Sequence, residues 1–392
     1  MLYISLNIKS LLFALIFSWC SLPYFAHGQL QLLPDDDIDP NEIIKYSLII
    51  LEEDPQNLKA ILSMAESLYR LGEYRNCIQY SNIAENILSS NTEDSMLNKE
   101  STEKYFFYIL QTRGKARHKL GELIKAKSDY FEALSINNND IDLLVDIGNL
   151  YYNTATYDSA LSFFVSAEKI SPDAFKPKFN IANVYYILKS YDSALLYYNL
   201  GALIKPDFPY VYYYKGMIYN EVEKYNLAID EFTTAIRLWP ENTELYFKRG
   251  MTYQKINLYK LALADWEILL KLDSTNYDAL RNRAITYIYL KKQEAALFDL
   301  DFLVENNPNE ILAYHLRGEY NFIRKKYKKA LPDLLEAENK GINSIDLLYQ
   351  IGYSYRKLKD PSHAYHYLSK VQEEGFILDK KSKIFLVKYQ KE

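Results

Sequence analysis

The sequence predicts an all-α fold, a right-handed superhelical solenoid of antiparallel helix pairs with a 34-residue period. The first observation is compositional, since 38 Tyr stand against only 12 Gly and 12 Pro among 392 residues, which favours long helices joined by short links. The second is a small residue that recurs every 34 positions, and the third is an alanine twelve positions after each of them. A fixed period of this length is typical of stacked helix-pair repeats.

Two columns of residues define the repeat, and neither misses a step in eight repeats. The small residues are Gly114, Gly148, Ala182, Gly216, Gly250, Ala284, Gly318 and Gly352, and the alanines are Ala126, Ala160, Ala194, Ala228, Ala262, Ala296, Ala330 and Ala364. Small side chains at these positions let the two helices of a repeat approach closely. Proline cannot continue a helix, and it closes four repeats, at Pro172, Pro206, Pro240 and Pro308.

The period and the order of small residue, tyrosine, alanine and terminal proline resemble the tetratricopeptide repeat. The clearest unit runs from Phe179 through Ala194 to Pro206. The resemblance covers residues 40–392 and implies an array of about nine repeats over residues 58–376. It also implies that the first helices line a concave groove, and that the protein holds other proteins.

Three segments depart from the regular array. Residues 89–104 contain an insertion, which we interpret as a surface loop plus an N-terminal extension of the next helix rather than as a functional loop. Residues 29–57 are predicted to be an N-terminal capping segment, and residues 377–392 a C-terminal capping helix. Stacked arrays require such caps, because a terminal repeat would otherwise expose its apolar face.

Residues 1–28 have the pattern of a secretory signal peptide. Lys9 precedes an apolar run at residues 11–19, Pro23 follows it, and small residues stand where a signal peptidase needs them. Cleavage would leave Gln29 as the first mature residue. The expected location of this exported bacterial type is therefore the periplasm or cell envelope, with secretion as the further alternative.

Two other interpretations of the N-terminus are less favoured. An uncleaved anchor needs about 20 apolar residues, and the run before Pro23 is shorter. Lipid attachment at Cys20 fits poorly with the bulky Trp19 before it. Membrane association is expected only through such a lipid or through a partner. After cleavage Cys77 would be the one cysteine left, so the fold is expected to stand without a disulfide.

A pair of columns changes jointly along the chain. A basic residue before the small one always has an acidic residue sixteen positions later: Arg113 with Asp129, Lys215 with Glu231, Arg249 with Asp265, Arg283 with Asp299, and Arg317 with Asp333. Where the first residue is apolar the second is apolar or aromatic: Ile147 with Phe163, Ile181 with Tyr197, and Ile351 with Tyr367. An unpaired charge near a core would be costly, so the two columns are predicted to touch.

No catalytic motif is present in the sequence. It contains no phosphate-binding glycine loop, no nucleophile elbow and no zinc-binding helix motif. The net charge of −5 argues against a nucleic-acid partner. His363 and His366 lie three apart on a predicted helix, but no third ligand is evident. We therefore expect no enzyme activity, no cofactor, no metal and no small-molecule substrate, and a protein or peptide partner whose identity the sequence does not give.

The predicted binding site is the exposed side of the first helices in the middle repeats. Aromatic and Met side chains anchor interface centres, and Asn can bond both groups of a peptide backbone. The predicted groove residues are Asn149, Phe179, Asn180, Asn183, Tyr186, Tyr213, Met217 and Phe247. Charges lie nearer the ends, at Lys115, Lys119, Arg356 and Lys357, where they are expected to steer the approach of a partner.

Alternatives to this site stay open. The chain could be a structural or assembly component of an envelope or secretion machine that uses convex or lateral contacts. Asn180 and Asn183 could also be ordinary surface residues of the repeat. A carboxylate clamp of the kind found in chaperone-binding relatives is rejected, because Val145, Tyr210 and Tyr214 occupy places where it needs basic residues.

Overall fold

The computed structural model describes residues 38–90 and 99–389, and every regular element in those ranges is an α-helix. The all-α helical repeat solenoid is thereby confirmed. The predicted signal peptide, Cys20 and the predicted cleavage point lie outside the described residues. The chain divides into two compact units, unit 1 up to Ile204 and unit 2 from Lys205.

Unit 1 contains nine described helices. They are α1 Pro40–Glu53, α2 Leu58–Arg70, α3 Tyr74–Ser90, α4 Lys99–Lys119, α5 Leu123–Ile136, α6 Ile141–Asn153, α7 Tyr157–Ile170, α8 Phe175–Ile187 and α9 Tyr191–Ile204. Helices α2 to α9 form four pairs, and a turn of three residues joins the first helix of each pair to the second. Helix α1 packs on α2, inside the segment predicted to be the N-terminal cap.

Unit 2 contains eleven described helices. They are α10 Pro209–Glu221, α11 Tyr225–Leu238, α12 Thr243–Lys255, α13 Tyr259–Leu272, α14 Tyr277–Tyr289, α15 Gln293–Asn306, α16 Ile311–Ile323, α17 Tyr327–Asn339, α18 Ile345–Lys357, α19 Pro361–Glu373 and α20 Lys380–Tyr389. Five pairs run from α10 to α19. Helix α20 buries Leu386 but leaves Ile384 and Val387 exposed. The boundaries of the array and of its caps stay predictions.

The small residue of each repeat lies under a large ring or branched side chain from the second helix. A Cβ added to Gly216 would lie 2.6 Å from the Phe232 ring, and one added to Gly250 would lie 2.9 Å from Trp266. Phe232 and Trp266 are fully buried. Glycine therefore recurs in this column because a core side chain of the second helix packs directly on the backbone of the first helix.

The turn after the first helix contains a residue with positive φ, which its sequence does not predict because the residue is not glycine. In seven repeats a residue other than glycine has a positive φ: Ala155, Lys189, Glu223, Asn257, Lys291, Lys325 and Lys359, at 55° to 64°. The next N–H then bonds back into the helix, as Ser190 N does to the Tyr185 carbonyl at 2.9 Å. This is the geometry of a Schellman cap, in which glycine is the usual residue.

The five predicted ion pairs are all formed, which confirms the joint variation of the two columns. The N–O distances are 2.9 Å for Arg113–Asp129, 2.8 Å for Lys215–Glu231, 2.6 Å for Arg249–Asp265, 2.7 Å for Arg283–Asp299 and 2.7 Å for Arg317–Asp333. Asp265 is so deeply buried that its pKa is raised despite the adjacent guanidinium of Arg249. Each pair neutralises two largely buried charges between the helices of its repeat.

Candidate functional site

The eight predicted groove residues lie on the first helices of four repeats, and all are half-buried. Those of unit 1, here called the amide face, are Asn149, Phe179, Asn180, Asn183 and Tyr186. Those of unit 2, here called the ring face, are Tyr213, Met217 and Phe247. The two faces differ in how their side chains are held.

Hydrogen bonds within unit 1 fix the three asparagines of the amide face. Asn180 Nδ2 donates to Asn149 Oδ1 at 3.2 Å, which joins helix α8 to helix α6. Asn183 Oδ1 accepts a 2.6 Å bond from the hydroxyl of Tyr198, a fully buried residue of α9. Each amide is thus oriented by one bond to the protein.

One polar group of each asparagine is left over by these bonds. Asn149 keeps its NH₂ group, Asn180 its carbonyl oxygen and Asn183 its NH₂ group, and none of the three is a buried atom without a partner. Within the described residues no hydrogen bond engages them. Two donor groups and one acceptor on adjacent first helices can bond the C=O and N–H groups of an extended main chain.

The aromatic residues of the amide face flank these amides. The ring of Phe179 packs edge-to-face on Tyr198 at 5.8 Å and stacks on Phe175 at 5.6 Å. Tyr186 lies at the end of α8, with its ring centroid 6.4 Å from that of Tyr191. Phe179 therefore rests on the core of its repeat, and its position is fixed by ring contacts.

A charged pair occupies the corresponding position in the preceding repeat. Lys115 and Asp146 precede Asn149 and Asn180 by 34 residues each, and their charged groups lie 3.8 Å apart. Burial raises the pKa of Asp146 to about 7, against the opposing effect of Lys115. Lys115 is thus a paired and mostly buried residue, so the expectation that it steers partners as a solvated charge is wrong.

The ring face of unit 2 is tied more closely to the core. Phe247 packs edge-to-face on Trp266 at 5.4 Å, and the Tyr213 ring lies 6.4 Å from that of Phe232. Both residues border the apolar core around Trp266, and Met217 lies between them in sequence on α10. Removal of the Tyr213 or Phe247 ring should therefore reduce stability as well as any binding.

The C-terminal charges are also engaged by neighbours. Arg356 lies over the Tyr353 ring at 4.5 Å and 3.8 Å from Asp379, and Lys357 lies over the same ring at 5.3 Å. His363 bonds Asp360 at 2.8 Å, and the His366 ring packs on Tyr367 at 5.2 Å. The two histidines thus have separate partners.

A cleft that the sequence did not predict lies at the N-terminal ends of α10 and α12. Its volume is about 300 Å³, and its walls include Tyr210, Tyr213, Tyr214, Trp239 and Glu244. Only Tyr213 belongs to the predicted site. For Tyr214 and Trp239 the signal that could have found them is a ring in a column that has no other ring.

All the wall residues of this cleft belong to unit 2. Two of its rings, Tyr210 and Trp239, pack edge-to-face at 5.6 Å. Glu244 is the one charged residue of the walls.

In residues 38–90 and 99–389, no three His, Cys, Asp or Glu side chains lie close enough to hold a metal ion. Of the helices described above, none is long and apolar enough to cross a membrane.

Comparison with known proteins finds a family-model match for one segment of the chain. Residues 345–374 match the family model of the tetratricopeptide repeat. This segment comprises α18 and α19, one helix pair of unit 2. No curated protein matches the chain.

Solved structures with similar folds include other repeat proteins. YrrB, described as a tetratricopeptide-repeat protein with an unusual peptide-binding site, is 24% identical, with 48% of this chain and 96% of YrrB covered and a TM-score of 0.43. A tetratricopeptide repeat protein from Parabacteroides merdae is 18% identical over 64% of this chain and 98% of that one, with a TM-score of 0.45. PilF of Pseudomonas aeruginosa is 15% identical over 55% and 99%, with a TM-score of 0.48.

Proposed function

We propose that this protein is an interaction scaffold that binds an extended segment of a partner protein along the amide face of unit 1. The observation that supports this function most directly is the set of three oriented amides, each with one polar group left for a ligand. Such groups bond main-chain atoms and so accept many sequences. The proposed function includes no catalytic step.

Phe179 supplies the apolar contact of the proposed site. Its ring is half-buried and rests on the fully buried Tyr198, so a ligand side chain would meet a ring that is already ordered. Preordered aromatic residues lose little conformational entropy on binding. Truncation of such an anchor weakens binding by more than about 1 kcal/mol. The ring face, with Tyr213, Met217 and Phe247, offers anchors of the same kind within unit 2.

Site-specific photo-crosslinking tests the location of the partner. A benzoylphenylalanine in place of Phe179 should crosslink a partner in cell-envelope extract, since the two side chains differ mainly in length. The matched control carries the same group in place of Phe298, on the second helix α15. A crosslink from position 179 and none from position 298 supports the proposed function. The reverse result would contradict it.

Amide variants test the part played by the asparagines. Replacement of Asn149, Asn180 and Asn183 together by Ala should abolish the crosslinked product. The control replaces Asn199 and Asn226, which are exposed on second helices, and should leave the product unchanged. Equal crosslinking by both variants would show that the amides do not bind the partner.

A second candidate function is a structural or assembly component of an envelope or secretion machine. One observation favours it: helix α15 exposes Phe298 and Phe302, one turn apart, with 70% and 39% of their surfaces accessible. Neighbouring exposed aromatic residues on a second helix suit a lateral protein contact. Crosslinks from position 298 alone would favour this function.

We also propose that the protein is exported. The support is the signal-peptide pattern of residues 1–28. N-terminal sequencing of the mature protein should begin at Gln29. A lipid-modified N-terminus at Cys20 would contradict cleavage at Gln29 while leaving export intact, and a retained Met1 would contradict the signal peptide.

A further inference from the structure

The cleft at the ends of α10 and α12 is built from residues that break the pattern of the repeat. Trp239 stands in a column whose other members are Asn137, Ser171, Lys205, Asp273, Asn307, Gly341 and Gly375. Tyr210 stands in a column that has Tyr108 in one other repeat and Asp142, Lys176, Glu244, Asp278, Leu312 and Asp346 in the rest. Packing of the repeat therefore does not require a ring at either place.

The two rings are also accessible. Trp239 retains 37% of its surface and Tyr210 retains 41%, although they pack on each other at an interplanar angle of 65°. Tyr213 and Tyr214 meet at 75° with centroids 5.1 Å apart. Rings at such angles form a corner that presents aromatic faces in more than one direction.

The charge of the walls favours a cation. Glu244 is the charged residue among them, and the walls contain no Lys, Arg or His. Lys248 lies outside the walls, 3.0 Å from Glu244 Oε1, and no hydrogen bond or ion pair among the described residues engages Oε2. The negative faces of aromatic rings and a carboxylate both attract positive charge, and Trp is the strongest of the rings in this respect.

We propose that this cleft binds an organic cation, an alkylammonium or guanidinium group, between its aromatic rings and Glu244. The site goes beyond the proposed function, which concerns the amide face of unit 1. Two sources share the chemistry: a Lys or Arg side chain of a partner protein and a free quaternary amine.

Titration with a matched pair of ligands tests the charge. Choline and 3,3-dimethylbutan-1-ol have the same shape, but only choline is charged. Calorimetry of the full chain should show choline binding about five- to thirtyfold more tightly. Equal binding of the two, or no binding of choline, would overturn the proposal and identify the cleft as a purely apolar site or as no site.

Variants of the walls assign the binding to the cleft. Trp239→Leu should lower choline affinity at least about fivefold and leave that of the neutral alcohol nearly unchanged. Trp239→Phe keeps a ring and should retain part of the affinity, which guards against a folding defect. Tyr289→Leu removes an exposed ring of α14 and should change nothing. Unchanged choline affinity in Trp239→Leu would overturn the proposal.

Two further ligands distinguish the sources. An acetylated, amidated tripeptide Gly-Lys-Gly represents a protein side chain, and its trimethyllysine form represents a quaternary amine on a peptide. Binding of the first at least as tight as that of choline points to Lys or Arg of a partner. Binding of choline and trimethyllysine alone points to quaternary amines. Either result supports the cation site, and loss of the amide face in unit 1 should affect neither.

Discussion

Two repeats that lie 68 residues apart, α8–α9 in unit 1 and α12–α13 in unit 2, show how one scaffold supports two different surfaces. Phe179 corresponds to Phe247, and the buried Tyr198 corresponds to the buried Trp266. Tyr198 donates its hydroxyl proton to Asn183 on the amide face, whereas Trp266 Nε1 donates to Thr286 of the next first helix at 3.1 Å. In these two repeats the polar atom of the core ring therefore bonds an asparagine of the surface in one case and the next first helix in the other.

The interiors of the same two repeats differ as well. The apolar pair Ile181 and Tyr197 in α8–α9 corresponds to the ion pair Arg249 and Asp265 in α12–α13. Both solutions fill the same space between first and second helix. The difference indicates that residues between the first and second helix of a repeat must be substituted in pairs, whereas surface residues can be substituted one at a time.

The largest expected effect comes from breaking the ion pair. Asp265→Ala should lower the free energy of unfolding by about 3 kcal/mol or more, because Arg249 would remain as a largely buried, unpaired charge. The double variant Arg249→Ile with Asp265→Tyr copies the α8–α9 repeat and should recover most of the loss. Urea unfolding measures both. A double variant as unstable as the single one would contradict the equivalence of the two interiors.

The free energy of unfolding should depend on pH through the pair Lys115–Asp146, which an uncharged pair such as Asn149–Asn180 would not cause. The folded-state pKa of Asp146 is raised to about 7, so the folded chain holds a proton that the unfolded chain releases above about pH 4. Protonated Asp146 therefore contributes stability to the folded chain at low pH, and this contribution is lost as the pH rises to about 7. When the pH rises from 5 to 8, the native chain should therefore lose about 2 kcal/mol more of its free energy of unfolding than the double variant Lys115→Asn with Asp146→Asn. Urea unfolding of both proteins at pH 5 and pH 8 measures this difference. The same change with pH in the native chain and in the double variant would contradict it.

Tyr198→Phe should remove the bond that orients Asn183. The expected loss of stability is about 1 kcal/mol, and partner crosslinking from position 179 should weaken. Tyr246→Phe is the matched control, because its hydroxyl bonds the Pro240 carbonyl at 3.0 Å and does not reach the amide face. It should cost a similar stability without affecting the partner. Equal effects of both variants on crosslinking would show that Asn183 needs no orientation.

The smallest expected effect concerns the turns that follow α8 and α12. Lys189 and Asn257 both have a positive φ, of 56° and 62°. Lysine is more strained there than asparagine, so Lys189→Gly should stabilise the chain by about 1 kcal/mol and Asn257→Gly by less. Ser190→Gly, one residue later, should give no gain. Thermal unfolding compares the three, and an equal gain at both turns would contradict the difference in strain.

The sequence by itself determined the repeat, its helix pairs and the ion pairs inside them. These features follow from contacts within one repeat, at fixed spacings of twelve and sixteen residues, and eight repeats in one chain display each spacing many times. Close packing and the cost of a buried charge act on every repeat alike, so they leave regular columns.

The tertiary structure alone decided how the surface side chains are used. Asn183 faces outward but gives its carbonyl to Tyr198, and Lys115 is neutralised by Asp146 of the next first helix. The cleft beside Trp239 needs two successive repeats at a particular separation and rotation. Such contacts depend on how helices stack rather than on the periodic pattern, because stacking sets which side chains reach one another and how much water each retains.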